Sequence, residues 1–377
     1  MASYEGIDLS PLFRPITLHD VTLVNRIVMA PMTREKSPGS VPGEDVAAYY
    51  RRRAEGGVGL IVTEGTTIDH PAASYHTNIP NLHDPKALAG WKRVCDAVHV
   101  AGGRIASQLW HVGAHRVLSG NEPNPGLPPA SPSGFKNAND EVGEPMTDAD
   151  AQSVVDGFAR SASAAKNAGF DAVEIHGAHG YLIDQFFWHA TNRRVDRWGG
   201  GDLAARASFG VEIVKSVRRA VGASFPIIFR FSQWKLGDYM AKSIPSPEDL
   251  GKLLAPLSDA GVDAFHCSAR RWWTPEFEGS PLNLAAWAKK MTAKPTITVG
   301  SVSLALEPGD ETAKREDIVP FAREHLAALV DGIARGDFDM VAVGRMLLSN
   351  PDWANQVRAG NIAGLKPFAR RCVATLN

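Results

Sequence analysis

Short apolar runs alternate along this chain with longer stretches whose apolar positions recur at helical spacing. The runs fall at Ile27 to Met32, 58–66 (VGLIVTEGT), 104–111 (RIASQLWH), 171–177 (DAVEIHG), 226–232 (PIIFRFS), 263–269 (DAFHCSA), 295–301 (PTITVGS) and 339–345 (DMVAVGR). They lack the alternating polarity of a half-solvated strand, as expected where a parallel sheet is covered on both faces. Helical spacing occupies 45–55, 85–102, 147–169, 202–221 and 247–260; Pro85 opens the second of these and Gly102-Gly103 closes it. Strand followed by helix, repeated in this way, predicts a (β/α)8 TIM barrel within the α/β class rather than an open doubly wound sheet. Residues 15–25 alternate around His19-Asp20 and predict an N-terminal hairpin that caps the barrel floor. Residues 113–145 and 269–282 are extended βα loops, and no composition break divides 1–377, so a single domain is expected.

Composition narrows the class. Hydrophobic residues at 44% and charged residues at 21% describe an ordinary globular chain. A net charge of −1 argues against nucleic acid and membrane as partners, with the arginines at 51–53 and 370–371 read as solvated faces. The start MASYEGIDLS lacks the order of a secretory leader, and no run has the length to span a bilayer, so a cytoplasmic location is expected. Cys95, Cys267 and Cys372 are too scattered for a disulfide framework. Monomer and homodimer both stay open.

Side chains at the carboxyl ends of barrel strands face the ligand site. His176, His179 and Tyr181 leave the fourth run within six residues. Their spacing fits a metal pair, satisfied interior polar groups, or donors to a substrate oxygen. At the other strand ends stand Thr33, just beyond Pro31 and Met32, then Gly65, Gln108, Arg230, His266, Gly300-Ser301 and Gly344-Arg345. This ring is rich in donors and nearly free of acids, unlike the ligand set of a metal-dependent barrel hydrolase. Glycine with serine or arginine after strands seven and eight suits a phosphate. Arg230 has two readings, a pair with Glu64 or Glu174 and a fixed cation beside an anionic cofactor.

The segments NRIVMAPMTR (25–34), SQLWHVG (107–113), VEIHGAHGYLIDQF with TNRRVDRWGG (173–200), FRFS around Arg230, ITVGSV (297–302) and VAVGRMLLSNPDW (341–353) resemble the Old Yellow Enzyme family, FMN-dependent ene reductases fed by NADPH or NADH. The resemblance spans nearly the whole chain. It implies that Pro31, Met32, Thr33, Gly65, Gln108 and Arg230 surround the flavin ring and that Gly300, Ser301, Gly344 and Arg345 cradle its phosphate. It further implies that His176 and His179 grip the activating oxygen of a small electron-poor alkene while Tyr181 donates a proton.

Thr33 stands where one branch of the family has cysteine, Val195 and Trp198 stand where relatives often have threonine and tyrosine, and Cys372 alone does not make an iron–sulfur site. Trp110, Trp272 and Trp273 are expected to wall the substrate pocket, Trp234 less so. A metal-dependent hydrolase and a flavin carrier without turnover are the alternative functions.

Overall fold

The computed structural model describes residues 2–305 and 323–377, together with the backbone of 317–318. Eight parallel strands close into a barrel: β1 (Ile27–Met29), β2 (Leu60–Thr67), β3 (Arg104–Trp110), β4 (Ala172–His179), β5 (Ile227–Lys235), β6 (Ala264–Ser268), β7 (Thr296–Val299) and β8 (Met340–Val343). Each strand pairs with its sequence neighbours, and β8 pairs with β1 through Val341 opposite Ile27. The (β/α)8 expectation therefore holds.

Alternation along each strand builds two cores. Val28, Leu60, Ala106, Ala172, Ile228, Ala264, Ile297 and Ala342 belong to one buried cluster that fills the barrel. Their strand neighbours Ile27, Ile61, Ile105, Val173, Ile227 and Val341 belong to a second, shared with the outer helices. Those helices include α1 (Glu44–Glu55), α2 (Pro85–Val100), α3 (Asp148–Ala168), α4 (Ser208–Val221), α5 (Pro247–Ala260), α6 (Leu284–Thr292), α7 (Arg323–Arg335) and α8 (Trp353–Arg358). Leu18 and Leu23 of the hairpin Ile16–Leu18/Val21–Leu23 join the barrel-filling cluster, so this hairpin plugs the floor. α3 carries a capping box from Thr147 to Asp150 and ends at Gly169 with φ 100°, matching the boundaries its sequence predicts.

Some boundaries differ. β1 stops at Met29, since Pro31 brings no N–H to the ladder. The helix predicted over 202–221 divides at Ala207, where Arg206 turns inward and its Nε donates to the Phe187 carbonyl at 2.8 Å. β4 and β5 run past their apolar cores to His179 and Lys235, with a register shift between Gly177 and His179. Such a bulge re-aims the side chains that follow it. Among the described residues no helix is long and apolar enough to cross a membrane.

Candidate active site

The end of β4 is built from two residues in the left-handed region, His179 (φ 66°) and Gly180 (φ 80°). A histidine there is uncommon and must be held by its surroundings. Asp184 holds the turn: its Oδ2 accepts the Gly180 N–H at 2.7 Å, and its Oδ1 accepts from Lys235 Nζ at 2.8 Å, with both side chains 2% exposed. The turn brings the rings of His176 and His179 to 5.0 Å, at right angles, and those of His176 and Tyr181 to 5.1 Å.

Burial drives both histidines well below the usual imidazole range, and the nearby Arg230 charge pushes them further. Each is therefore neutral at pH 7 and offers one N–H. The His176 Nδ1 accepts the Ala178 N–H at 3.3 Å, which assigns its proton to Nε2. His179 is held on two sides, by Trp234 stacked at 4.1 Å and by Ser268 Oγ 2.8 Å from its Nε2. Tyr181 is pushed up to about 12 by burial, with the Glu35 charge adding and Arg230 opposing. It keeps its proton at neutral pH.

Barrel register lines up the polar residues of neighbouring strands: Gly65 beside Gln108, Gln108 beside Glu174, His176 beside Arg230, and Arg230 beside His266. Neither proposed carboxylate makes a direct ion pair with Arg230, although the Glu174 charge acts on it from a distance and favours its charged form. Glu64 accepts the Arg34 and Glu35 N–H groups, at 2.8 and 3.1 Å, and Glu174 accepts from Gln108 Nε2 (2.7 Å) and bonds His266 Nδ1 (2.6 Å). Arg230 is 6% exposed, its Nε has no partner, and its one hydrogen bond among the described residues is a 3.5 Å contact to Ser268 Oγ. A buried guanidinium in this state calls for an anion or a carbonyl-rich ligand.

A cavity of about 190 Å³ extends from Arg230 and Trp234 to Ser301, Gly344 and Arg345. Arg230, Arg270, Arg271 and Arg345 line it, and among the described residues no carboxylate does. Arg271 Nη1 donates to Ser301 Oγ at 3.1 Å and Arg345 Nη2 lies 3.4 Å from the same oxygen. Burial lowers Arg345 to about 10, with the Arg271 and Arg270 charges adding. At Gly300 (φ 146°) a Cβ would run into the Ala269 carbonyl, so only glycine lets the loop after β6 close over β7. Met32 lines the same cavity, its Sδ 3.6 Å from where a Gly344 Cβ would stand. Pro31 and Thr33, on either side of Met32 in the chain, are half-buried and exposed and do not line this cavity. Convergent arginines, close-packed glycines and an unpaired buried guanidinium fit a phosphate joined to a carbonyl-bearing ring.

The tryptophans are redistributed. Trp110 is buried beneath the site, edge-on to Tyr181 at 4.9 Å, with its ring against Gly65. Trp272 and Trp273 do not wall the cavity: Trp272 packs edge-on to Phe338, and Trp273 stacks on His325 at 3.9 Å, both over the outer helices. The loop after β6 turns outward once the Trp272 N–H bonds the Gly300 carbonyl. Trp234 stands at the cavity instead, with Ser268, Arg270 and Arg271. The paired arginines directly after a strand, without acids nearby, were the sequence signal for the last two. Among the described residues no three His, Cys, Asp or Glu side chains converge as a metal site would require.

A family model described as NADH:flavin oxidoreductase / NADH oxidase, the FMN oxidoreductases, matches residues 11–330. The chain belongs to this family. Curated relatives agree: the NADH oxidase of Thermoanaerobacter brockii is 34% identical over 96% of this chain, and 12-oxophytodienoate reductase 2 of Arabidopsis thaliana is 32% identical over 93%. The chain spans 52% of the former and 89% of the latter, so it covers about half the length of the bacterial relative. Morphinone reductase, solved in complex with tetrahydroNAD, superposes with a TM-score of 0.79 at 28% identity, over 96% of this chain and 93% of that one. FMN is the family's cofactor, and the arginine-lined cavity fits it.

Proposed function

We propose that this family member is an ene reductase that reduces activated C=C bonds of α,β-unsaturated carbonyl or nitro compounds, with NADPH or NADH as the source of hydride. One observation carries the reading: two neutral imidazoles and a protonated phenol converge beside a buried arginine whose Nε is unpartnered and which makes no direct ion pair with a carboxylate among the described residues. Thr33, Gly65, Gln108 and Arg230 would hold the flavin ring, while Gly300, Ser301, Gly344 and Arg345, joined by Arg271, would hold the phosphate. FMN held there would supply the hydride chemistry of the reduction.

The chain's own groups do the rest. His176 and His179 donate N–H bonds to the substrate oxygen and draw electron density from the conjugated bond, a preorganised pair that costs no reorganisation. Ser268 and Trp234 hold the His179 ring. Tyr181 gives its proton to the α-carbon, and Arg230 offsets negative charge on the ring beside it. Names among the relatives, a 12-oxophytodienoate reductase and a morphinone reductase bound to a nicotinamide analogue, support the same chemistry.

The test separates two half-reactions. The chromophore released on denaturation should run with FMN, and anaerobic NADPH or NADH should bleach it. Tyr181→Phe should leave bleaching intact and slow reoxidation by an enone by about 100-fold, a usual size for a lost general acid. Unchanged enone reoxidation in that variant would overturn the role of Tyr181.

A further inference from the structure

Glu35 follows the end of β1 with φ 54°, an uncommon backbone state for glutamate. It is held there by Glu64, whose Oε2 accepts the N–H groups of both Arg34 and Glu35. The turn aims the Glu35 carboxylate at the loop after β2, where Tyr75 donates its O–H to Oε1 at 2.8 Å. The Tyr75 ring stands edge-on to Trp110 at 5.9 Å and 89°, and Tyr181 stands edge-on to the same indole at 4.9 Å and 85°. Both phenols pack on one small cluster of Ile79, Trp110 and Val112. The Trp110 Nε1–H, buried in this cluster, has no acceptor among the described residues. Glu35 and Tyr75 are both half-buried, so the pair runs from the solvent side toward the phenol of the active site. The charge of Glu35 also reaches both phenols, as it raises Tyr75 and Tyr181 alike after burial has done so.

We infer that Glu35 and Tyr75 form a proton-supply path that reprotonates Tyr181 after each turnover, with a water held by Trp110 Nε1 between the two phenols. The inference rests on the reading of Tyr181 as the proton donor. When the Tyr181 O–H proton goes to carbon, the phenolate left behind takes a proton from Tyr75 through that water. The Glu35 carboxylate takes a proton from solvent and passes it to Tyr75, which leaves Glu35 ionised as it began. One solvent proton enters for each proton delivered, and every group returns to its starting state. Glu35 and Tyr75 act through Tyr181 and never touch the substrate.

The experiment uses the flavin-loaded enzyme with Glu35→Gln, Tyr75→Phe, Glu35→Asp and Tyr181→Phe. Glutamine keeps an acceptor for Tyr75 but relays no proton, so the site stays intact while the path is cut. Expected are turnover with an enone slowed about tenfold in the first two variants, bleaching by nicotinamide within about twofold of wild type, and partial recovery with aspartate, effects smaller than the loss of the donor itself. The solvent-isotope proton inventory should pass from bowed in wild type to linear in Glu35→Gln. Independently of turnover, fluorine NMR of 3-fluorotyrosine-labelled enzyme should show the Tyr181 resonance ionising at lower pH in Glu35→Gln, because a neighbouring negative charge has gone. Wild-type rates and a bowed inventory in both path variants, alongside a slow Tyr181→Phe, overturn the path and leave the ene-reductase reading standing. A Tyr181→Phe enzyme with normal turnover overturns both, and an unmoved Tyr181 resonance overturns the path by itself.

Discussion

Gly65 illustrates what a single position must satisfy. A Cβ there would lie 2.5 Å from Trp110 Cε3 and 2.8 Å from Cδ2, so glycine is required by an indole pressed against the strand, in addition to any ligand above it. Gly65→Ala should cost about 1–3 kcal/mol, the usual penalty for overpacking, measured as a lower urea midpoint. It should also raise the KM for enone, because the displaced indole supports both His176 and Tyr181. A midpoint equal to wild type would mean that the indole has room to move. Strand periodicity alone places His176, His179, Tyr181 and Arg230 at or just past the ligand ends of their strands, but leaves their chemistry open; the roles proposed for them come with the family resemblance. Their partners were not readable from sequence. Ser268 on His179, Trp234 stacked beside it and Glu174 occupied by Gln108 and His266 are contacts between residues distant in the chain, and only barrel register brings them together.

At the scale of elements, β5 shows why a boundary escaped the apolar pattern. The run PIIFRFS ends at Ser232, yet the strand continues through Gln233 and Trp234 to Lys235, whose ammonium is buried against Asp184 and also donates to Ser243 Oγ at 2.9 Å. A polar residue read as the end of a strand is here an interior tie between β5 and the short helix Leu182–Phe187 after β4. Removing one partner of a buried pair strands the other charge. Lys235→Met should therefore destabilise by about 3–5 kcal/mol, whereas Lys92→Met, which breaks an exposed pair with Asp96 on α2, should change stability by less than about 1 kcal/mol. Denaturant titration of the two variants side by side checks the contrast, and equal losses would mean that Lys235 is wetter than its burial implies. Strand order and the two-layer core were legible, because eight doubly buried runs with helical connections leave few other folds. α6, α7 and α8 are not among the helical stretches read from the sequence, although α7 carries apolar spacing at Leu326, Leu329, Val330 and Ile333.

For the whole molecule, a net charge of −1 conceals a strong local imbalance. Arg230, Arg270, Arg271 and Arg345 line one cavity in which no carboxylate stands among the described residues, and the Arg345 charge is disfavoured first by burial and then by Arg271 and Arg270. Like charges held this close repel, so a dianion that fills the cavity stabilises the native state both by its own bonds and by relieving that repulsion. A ligand that binds only the folded chain contributes about 2.7 kcal/mol at a hundredfold excess over its Kd. FMN should thus raise the thermal midpoint of the flavin-free protein markedly. Riboflavin, which presents the same ring without the phosphate, should raise it far less, and inorganic phosphate alone should recover part of the difference. The FMN advantage should also shrink as salt rises, though only modestly, since buried charges are poorly screened. Scanning calorimetry of the flavin-free chain with each ligand makes the comparison, and equal shifts from FMN and riboflavin would show that the four arginines serve something other than the phosphate.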